Sequence, residues 1–249
     1  MQTLTIAAVK GGAATTTTTL NLAGILACER GQRVLVVDLD PDADATRFWG
    51  LELDDDAAAV QRGQASFADI ARPTGIAGID LVPAFTGLKA SAVRLAEDPL
   101  IAGWVSDGLA GADSAYDVVL FDVPAGIGVD GMSAALATGR VLATSLLEGG
   151  DQHSLASMVR DLRRLQARGV TLAGILPCRF DRRRRAPRAM LETLQEAYGS
   201  LVLSPVPDRA ELGELATHAN GEPLPLYAPS SDALPVYRNV ADRLFEEQH

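Results

Sequence analysis

Val9-Lys10-Gly11-Gly12-Ala13-Ala14-Thr15-Thr16-Thr17 joins an apolar run, Leu4 to Val9, to a helix-like run from Thr17 to Cys28. A glycine-rich turn between a strand and a helix is where a phosphate-binding loop sits. Backbone N–H groups and the positive end of the helix cradle phosphate there. The usual loop ends in Gly-Lys-Ser/Thr, with the lysine reaching the β- and γ-phosphates. This chain has Ala14-Thr15-Thr16 instead, and a lysine five positions earlier, Lys10. The stretch reads as a nucleotide-switch scaffold without its usual cation. The competing reading is a plain strand–helix connector.

Outward from this turn, apolar runs alternate with helical patterns. The strand-like runs are Leu4–Val9, Arg33–Asp38, Gly78–Pro83, Val118–Asp122, Arg140–Ser145, Leu172–Pro177 and Leu201–Leu203. Most lack polar alternation, as expected of strands covered on both faces. The helical patterns span Thr17–Arg30, Leu88–Ala96, Pro99–Leu109, Met132–Thr138, Ser154–Ala167, Ala186–Tyr198, Ala210–His218 and Leu234–Glu246. Gly31 stands where a helix C-terminus favours glycine. The Ala/Asp-rich stretch Asp54–Ala59 reads as a surface loop. Such alternation predicts an α/β fold, a doubly wound, mostly parallel sheet flanked by helices. No linker or repeat divides residues 1–249, so one domain is expected. Its ligand crevice belongs at the carboxyl ends of the strands.

Composition narrows the class. The chain has 249 residues, 47% of them hydrophobic, enough for a sizeable core. Its formal charge is −10 and its pI about 4.8, which excludes a surface coated in cations but not one basic patch. Cys28 and Cys178 lie in apolar runs without ligand spacing and read as two buried thiols. His153, His218 and His249 form no ligand cluster. No signal pattern opens the chain and no apolar run approaches a membrane span, so a cytoplasmic protein is expected.

Two acidic signals fall at strand ends: Val37-Asp38-Leu39-Asp40-Pro41 and Phe121-Asp122-Val123-Pro124-Ala125-Gly126. A carboxylate beside a phosphate loop can hold the water shell of Mg²⁺, and a second can orient an attacking water. A lone aspartate at a strand end more often caps a turn. Two such motifs downstream of a Lys-Gly-Gly turn form a more specific pattern.

The order Lys10-Gly11-Gly12, Asp38-Leu39-Asp40-Pro41 and Asp122-Val123-Pro124-Ala125 resembles the ParA/MinD family of deviant-Walker ATPases. Gly174-Ile175-Leu176 through Phe180-Asp181, Pro205-Val206-Pro207 and Tyr227-Ala228-Pro229-Ser230-Ser231 extend the likeness over nearly the whole chain. The resemblance implies a P-loop NTPase-like fold of the deviant Walker (SIMIBI) type, with ATP and Mg²⁺ as cofactors. It implies that Lys10 reaches across a sandwich homodimer to the partner's nucleotide. Gly11, Gly12, Ala13, Ala14, Thr15, Thr16 and Thr17 match the nucleotide loop. Thr16 matches the Mg²⁺ hydroxyl ligand and Thr17 a phosphate contact. Asp38 matches the support of the metal site, Asp40 the residue that activates water, and Asp122 the switch carboxylate that senses Mg²⁺. Pro205, Pro207 and Asp208 match the loop that borders the adenine in the family. The implied protein partitions a replicon or another large cargo. Its ATP-bound dimer binds double-stranded DNA without sequence preference, and a ParB-like or adaptor partner stimulates hydrolysis. It would be cytoplasmic and nucleoid-associated.

The departure is Ala14-Thr15, where the family places Gly-Lys. Losing this cation removes a charge-assisted bond of about 1.5–3 kcal/mol, or about ten- to hundredfold in affinity. Ala14 is strained if its position needs a positive φ. Weak ATP binding and little hydrolysis are expected. The pair fits a natural pseudo-ATPase and equally a loop altered to disable it. A non-enzymatic descendant that binds DNA or a partner is therefore the alternative function.

Arg179-Phe180-Asp181-Arg182-Arg183-Arg184-Arg185, with Pro187 and Arg188, is the densest positive run. It leads into a helix start, where cations oppose the helix dipole. Adjacent arginines suit sequence-independent phosphate contacts, and Arg183, Arg184 and Arg185 are the candidate DNA contacts. The bland reading is a solvated loop whose arginines pair with nearby acids. With an overall charge of −10, binding is expected to need a dimer that joins two patches. Trp49, Phe48, Trp104, Met158 and Leu162 read as core, and Glu148 and Asp151 as solvated loop. The last helix ends Glu246-Glu247-Gln248-His249, without the basic amphipathic tail of a membrane-surface binder. DNA rather than membrane is the expected surface partner.

Overall fold

Six of the seven predicted apolar runs form strands of the sheet. The computed structural model describes all residues except 9, 54, 86, 89–102, 127, 148–150, 219 and 247–249, and the backbone alone at 151, 152, 154 and 216–218. The strands are β1 (Gln2–Ala8), β2 (Val34–Asp38), β3 (Arg72–Pro73), β4 (Ile79–Val82), β5 (Val118–Asp122), β6 (Arg140–Leu146) and β7 (Thr171–Cys178). They form one sheet in the order β3-β4-β2-β5-β1-β6-β7. Every pairing is parallel except β3 with β4. Alternate residues feed two cores: Val34, Val36, Val118 and Leu120 face one way, Leu35, Val37, Val119 and Phe121 the other. Burial of both faces explains the continuous apolar runs.

The helices flank both faces. They are α1 (Thr15–Gly24), α2 (Asp44–Phe48), α3 (Asp56–Gln61), α4 (Phe67–Ile70), α5 (Trp104–Gly108), α6 (Ala112–Ala115), α7 (Val129–Thr138), α8 (Asp151–Leu165), α9 (Arg185–Tyr198), α10 (Ala210–His218), α11 (Leu224–Tyr227) and α12 (Leu234–Phe245). A π-turn, Ile25–Glu29, continues α1, and Gly31 at φ 67° ends it. α1 and α12 cover one face, while α7 and α8 cover the other. Trp49 and Phe48 pack edge to face at 5.5 Å in the first core. Trp104 lies against Phe67 at 5.8 Å, with Met158 and Leu162, in the second.

Three expectations are corrected. Asp56–Gln61 is a helix, because Ala57 and Val60 at helical spacing bury themselves in the second core. Leu201–Leu203 is not a strand of the sheet: a 3₁₀ turn, Gly199–Leu201, leads to a single bridge from Val202 to Ile175. Pro177, Pro205 and Pro207 lack the N–H groups a continuous ladder needs. Cys178 is buried as expected, but Cys28 is exposed at the end of the π-turn. Most of the expected helix Leu88–Ala96, and Glu148, lie outside the described residues.

Two packing details generate predictions. A Cβ on Gly24 would come within 2.6 Å of the Pro223 ring, where α11 crosses α1. Gly24→Ala is expected to lower stability by about 1–3 kcal/mol, read from the denaturant midpoint. Asp130 in α7 is 6% exposed, its Oδ1 has no hydrogen-bond partner among the described residues, and burial pushes its carboxyl up to about 6. An acid whose folded pKa is raised holds its proton longer in the folded state. Its contribution is therefore favourable below about pH 4 and is lost as pH rises to about 6. Asp130→Asn is expected to flatten that fall and to raise stability at pH 8 by about 2 kcal/mol, measured by urea unfolding across pH.

Candidate functional site

The site begins where β1 turns into α1. Gly12 has φ 79° and Ala14 has φ 62°, ψ 35°. A Cβ on Gly12 would meet nothing within 4 Å, so the backbone angle, not crowding, is what favours glycine there. Ala14 adopts the same left-handed conformation with a side chain, at about 1–2 kcal/mol. The turn closes with Ala13 N–H donating to Lys10 C=O at 3.3 Å and Thr18 N–H to Ala14 C=O at 2.9 Å. Ala13 is buried against Ala8 and Leu146, which anchors the loop to the sheet. No side chain caps α1, so its first N–H groups face outward for a ligand. They border a cleft of about 790 Å³.

Two carboxylates lie beneath the cleft side by side. Asp38 ends β2, Asp122 ends β5, and the two pair in register. Asp38 is buried: its Oδ1 accepts from Asp40 N–H at 3.0 Å, and its Oδ2 from Thr46 N–H at 2.9 Å and Thr46 Oγ1 at 2.7 Å. Thr46 Oγ1 in turn accepts from Ala84 N–H at 2.9 Å. Asp38 thus braces the β2–α2 turn. Burial pushes its carboxyl up to about 6, against the pull of the Thr46 and Asp40 donors. Asp122 is driven well above the usual carboxylate range, first by burial and then by the Asp38 charge. Thr19 Oγ1 donates to its Oδ1 at 3.3 Å, while Oδ2 is buried with no hydrogen-bond partner among the described residues. Asp40 lines the cleft itself, and its Oδ1 accepts from Asp42 N–H at 2.8 Å.

The opposite wall comes from the end of β7 and the segment before α10. Pro207, Asp208 and Arg209 line it with Cys178 and Arg179. Burial pushes the Cys178 thiol up to about 12, so this wall is neutral at its base. Arg179 Nε lies 3.6 Å from Asp208 Oδ1, and Arg209 forms a bidentate pair with Asp232.

The cleft therefore gathers Gly11, Gly12, Ala14, Thr15, Thr16, Thr17, Asp40, Pro207 and Asp208. Asp38 and Asp122 sit buried at the strand ends rather than on its surface, and Ala13 is buried in the loop's anchor. Lys10 is exposed and is not among the lining residues, and neither is Pro205. Sequence reasoning missed Arg179, Arg209 and Tyr237 as cleft residues. Arg179 had a signal, as the first cation of the arginine run at a strand end. Tyr237 stands in the closing segment that resembles ParA-type proteins, but its place in the cleft follows from the packing of α12 against α1. Arg183, Arg184 and Arg185 are exposed and lie apart from the cleft lining. Asp181 orders their turn: its Oδ1 accepts from Arg183 N–H at 2.9 Å and its C=O from Arg184 N–H at 3.1 Å. Among the described residues, none of these three arginines forms an ion pair.

Comparison with known proteins agrees with this fold. The AAA domain family (AAA_31) matches residues 1–171. A ParA family protein of Chlamydia trachomatis is 28% identical over 250 residues, spanning 98% of this chain and 97% of that protein. The Cyanothece McdA–ATP complex superposes with a TM-score of 0.86 at 20% identity, covering 100% of this chain and 98% of McdA. The septum site-determining protein MinD of Pyrococcus horikoshii, complexed with Mg-ADP, gives 0.77 at 24% identity, covering 98% and 96%. Among the described residues, no helix is long and apolar enough to cross a membrane. The family match over residues 1–171, with a bare helix N-terminus over two adjoining buried aspartates, places this chain in the ParA/MinD-type family of P-loop ATPases.

Proposed function

We propose that this chain is a ParA-type partitioning protein in which residues 1–249 act as one nucleotide-binding unit with a weakened phosphate loop. The observation that carries the reading is the cleft over the first turn of α1, with the orphaned Asp122 Oδ2 beneath it. Amides of the Gly11–Thr17 loop would hold the phosphates, and the wall at Pro207 and Asp208 would border the base. A buried carboxylate with one oxygen unpartnered among the described residues, beside the Thr16 hydroxyl, offers the oxygen ligands that a hydrated Mg²⁺ takes, so Thr16 and Asp122 fit that ion. The ion supplies charge neutralisation at the phosphates. Asp38 keeps the Asp40 turn in place, and Asp40, facing the cleft, orients water. Lys10, exposed on the rim, is available to a second protomer's cleft. The reading includes a nucleotide-held homodimer, nonspecific DNA as surface partner, a ParB-like or adaptor protein, and a cytoplasmic, nucleoid-associated location.

Ala14-Thr15 favours a second reading, a pseudo-ATPase that binds DNA or a partner without a hydrolytic cycle. Ala14 already holds the left-handed angle at a cost, and Thr15 brings no charge to the phosphate end.

Restoring the loop separates the two. Ala14→Gly with Thr15→Lys is expected to raise Mg·ATP affinity at least about tenfold by titration calorimetry. Unchanged affinity would show that the turn is not the phosphate site. Hydrolysis by the chain as it stands, assayed as phosphate release, supports the enzymatic reading; its absence with intact DNA binding supports the pseudo-ATPase. Replacing Arg183, Arg184 and Arg185 by Glu is expected to abolish salt-sensitive binding to mixed-sequence duplex DNA while leaving nucleotide affinity intact. Retention of DNA at low salt by that variant would remove the patch from the reading.

A further inference from the structure

The basic run does not stand apart from the cleft; its first member is part of the cleft wall. Arg179 follows the buried Cys178 at the end of β7, lines the cleft, and holds φ 55°. A non-glycine residue in that region is strained and stays there only while its surroundings hold it. Two sets of bonds do so. Phe180 N–H donates to Val206 C=O at 2.9 Å, and Asp208 N–H donates to Phe180 C=O at 3.1 Å, stitching the two segments of the wall together. The Arg179 guanidinium closes the same junction on Asp208 at 3.6 Å, with the two side chains 62% and 51% exposed. An ion pair this exposed is weak. A ligand group that claims either partner can therefore open it.

The strained residue is also the first link to the arginines. Two residues on, Asp181 fixes the turn through Arg183 and Arg184 N–H, and Arg184 is the N-cap of α9. A second link runs through charge. Arg209, on the cleft wall, pairs with Asp232, whose carboxyl is held below the usual range by Arg209 first and by Arg182 as well. Asp181 alone stands between Phe180 and Arg182, so a turn of the backbone at Arg179 re-aims the whole run. Arg183, Arg184 and Arg185, which form no ion pair among the described residues, oppose the dipole of the helix they lead into and are not placed there for its stability.

We infer that Arg179 is a positioning residue that couples occupancy of the base side of the cleft to polyanion binding by the Arg182–Arg185 loop within one protomer. The inference rests on the nucleotide and DNA reading above and adds to it the route by which one ligand senses the other. Coupling of this kind is a free energy shared by two sites, so it must be reciprocal. Nucleotide changes the affinity for DNA by the factor by which DNA changes the affinity for nucleotide.

The test uses the full chain, Mg·ATP and a short labelled duplex of mixed sequence. Anisotropy gives the duplex dissociation constant with and without nucleotide, calorimetry gives the converse, and sedimentation velocity follows assembly under the same conditions. The unsubstituted chain is expected to show a ratio of about fivefold or more, equal in both directions. Arg179→Gly, which removes the guanidinium and relieves the backbone, is expected to bring the ratio within about twofold of unity while both ligands still bind. Arg179→Ala, which removes the charge and keeps the strain, should reduce the ratio without altering the thermal midpoint beyond that of a surface change. A ratio unaffected in both variants overturns the inference, as does a ratio lost only together with nucleotide-driven dimerisation. A chain that binds neither Mg·ATP nor duplex fails at the first titration, which removes the underlying reading and is distinguishable from loss of coupling alone.

Discussion

The structure depends on one tight reversal: β1 must turn into α1 within a few residues, at the centre of a parallel sheet. Left-handed backbone at Gly12 and Ala14 makes the turn possible. It leaves the N-terminus of α1 uncapped and aimed across the carboxyl ends of the strands. Because β1 lies between β5 and β6, with β2 beyond β5, the ends of β2 and β5 fall beside that helix end. Asp38 and Asp122 meet there for topological reasons, not through proximity in the chain. The positive end of a helix and two buried acids then set the electrostatics of the cleft.

The two acids differ in what they do because their bonds differ. Asp38 spends both oxygens on the turn that carries Asp40, so it is a brace. Asp122 keeps one buried oxygen with no hydrogen-bond partner among the described residues, which is costly unless a ligand or ion satisfies it. The missing loop lysine leaves this arrangement intact. Thr15 brings no charge to the helix end, while the backbone turn and both strand-end acids stay in place.

Much of this was legible from residue order. Runs such as Val34–Asp38 and Val118–Asp122 are doubly buried strands, and their acids end where the runs end. The helix Ala210–His218 has the span its pattern predicts. Legibility failed where long-range packing overrides local pattern. Ala57 and Val60 give too short a stripe to outweigh an Asp-rich context, yet the second core holds them. Arg72–Pro73 pairs with β4 only because the chain returns antiparallel along that edge. Leu201–Leu203 has strand composition, but the prolines around it and in β7 reduce its pairing to a single bridge. Lys10 and Asp40 look equivalent on the page of sequence, yet one stays outside the cleft and the other lines it.

By itself the sequence determined the strand–turn–helix at the start, the acids at two strand ends, the absent loop lysine and the arginine run, since each is a local pattern of residue types. Tertiary structure alone decided that Asp38 would brace while an oxygen of Asp122 found no hydrogen-bond partner among the described residues, that Tyr237 would reach the cleft, and that Arg179 would join the wall to the arginine loop. Those outcomes depend on which strands become neighbours and which buried groups find donors, and both are set by the packing of segments far apart in the chain.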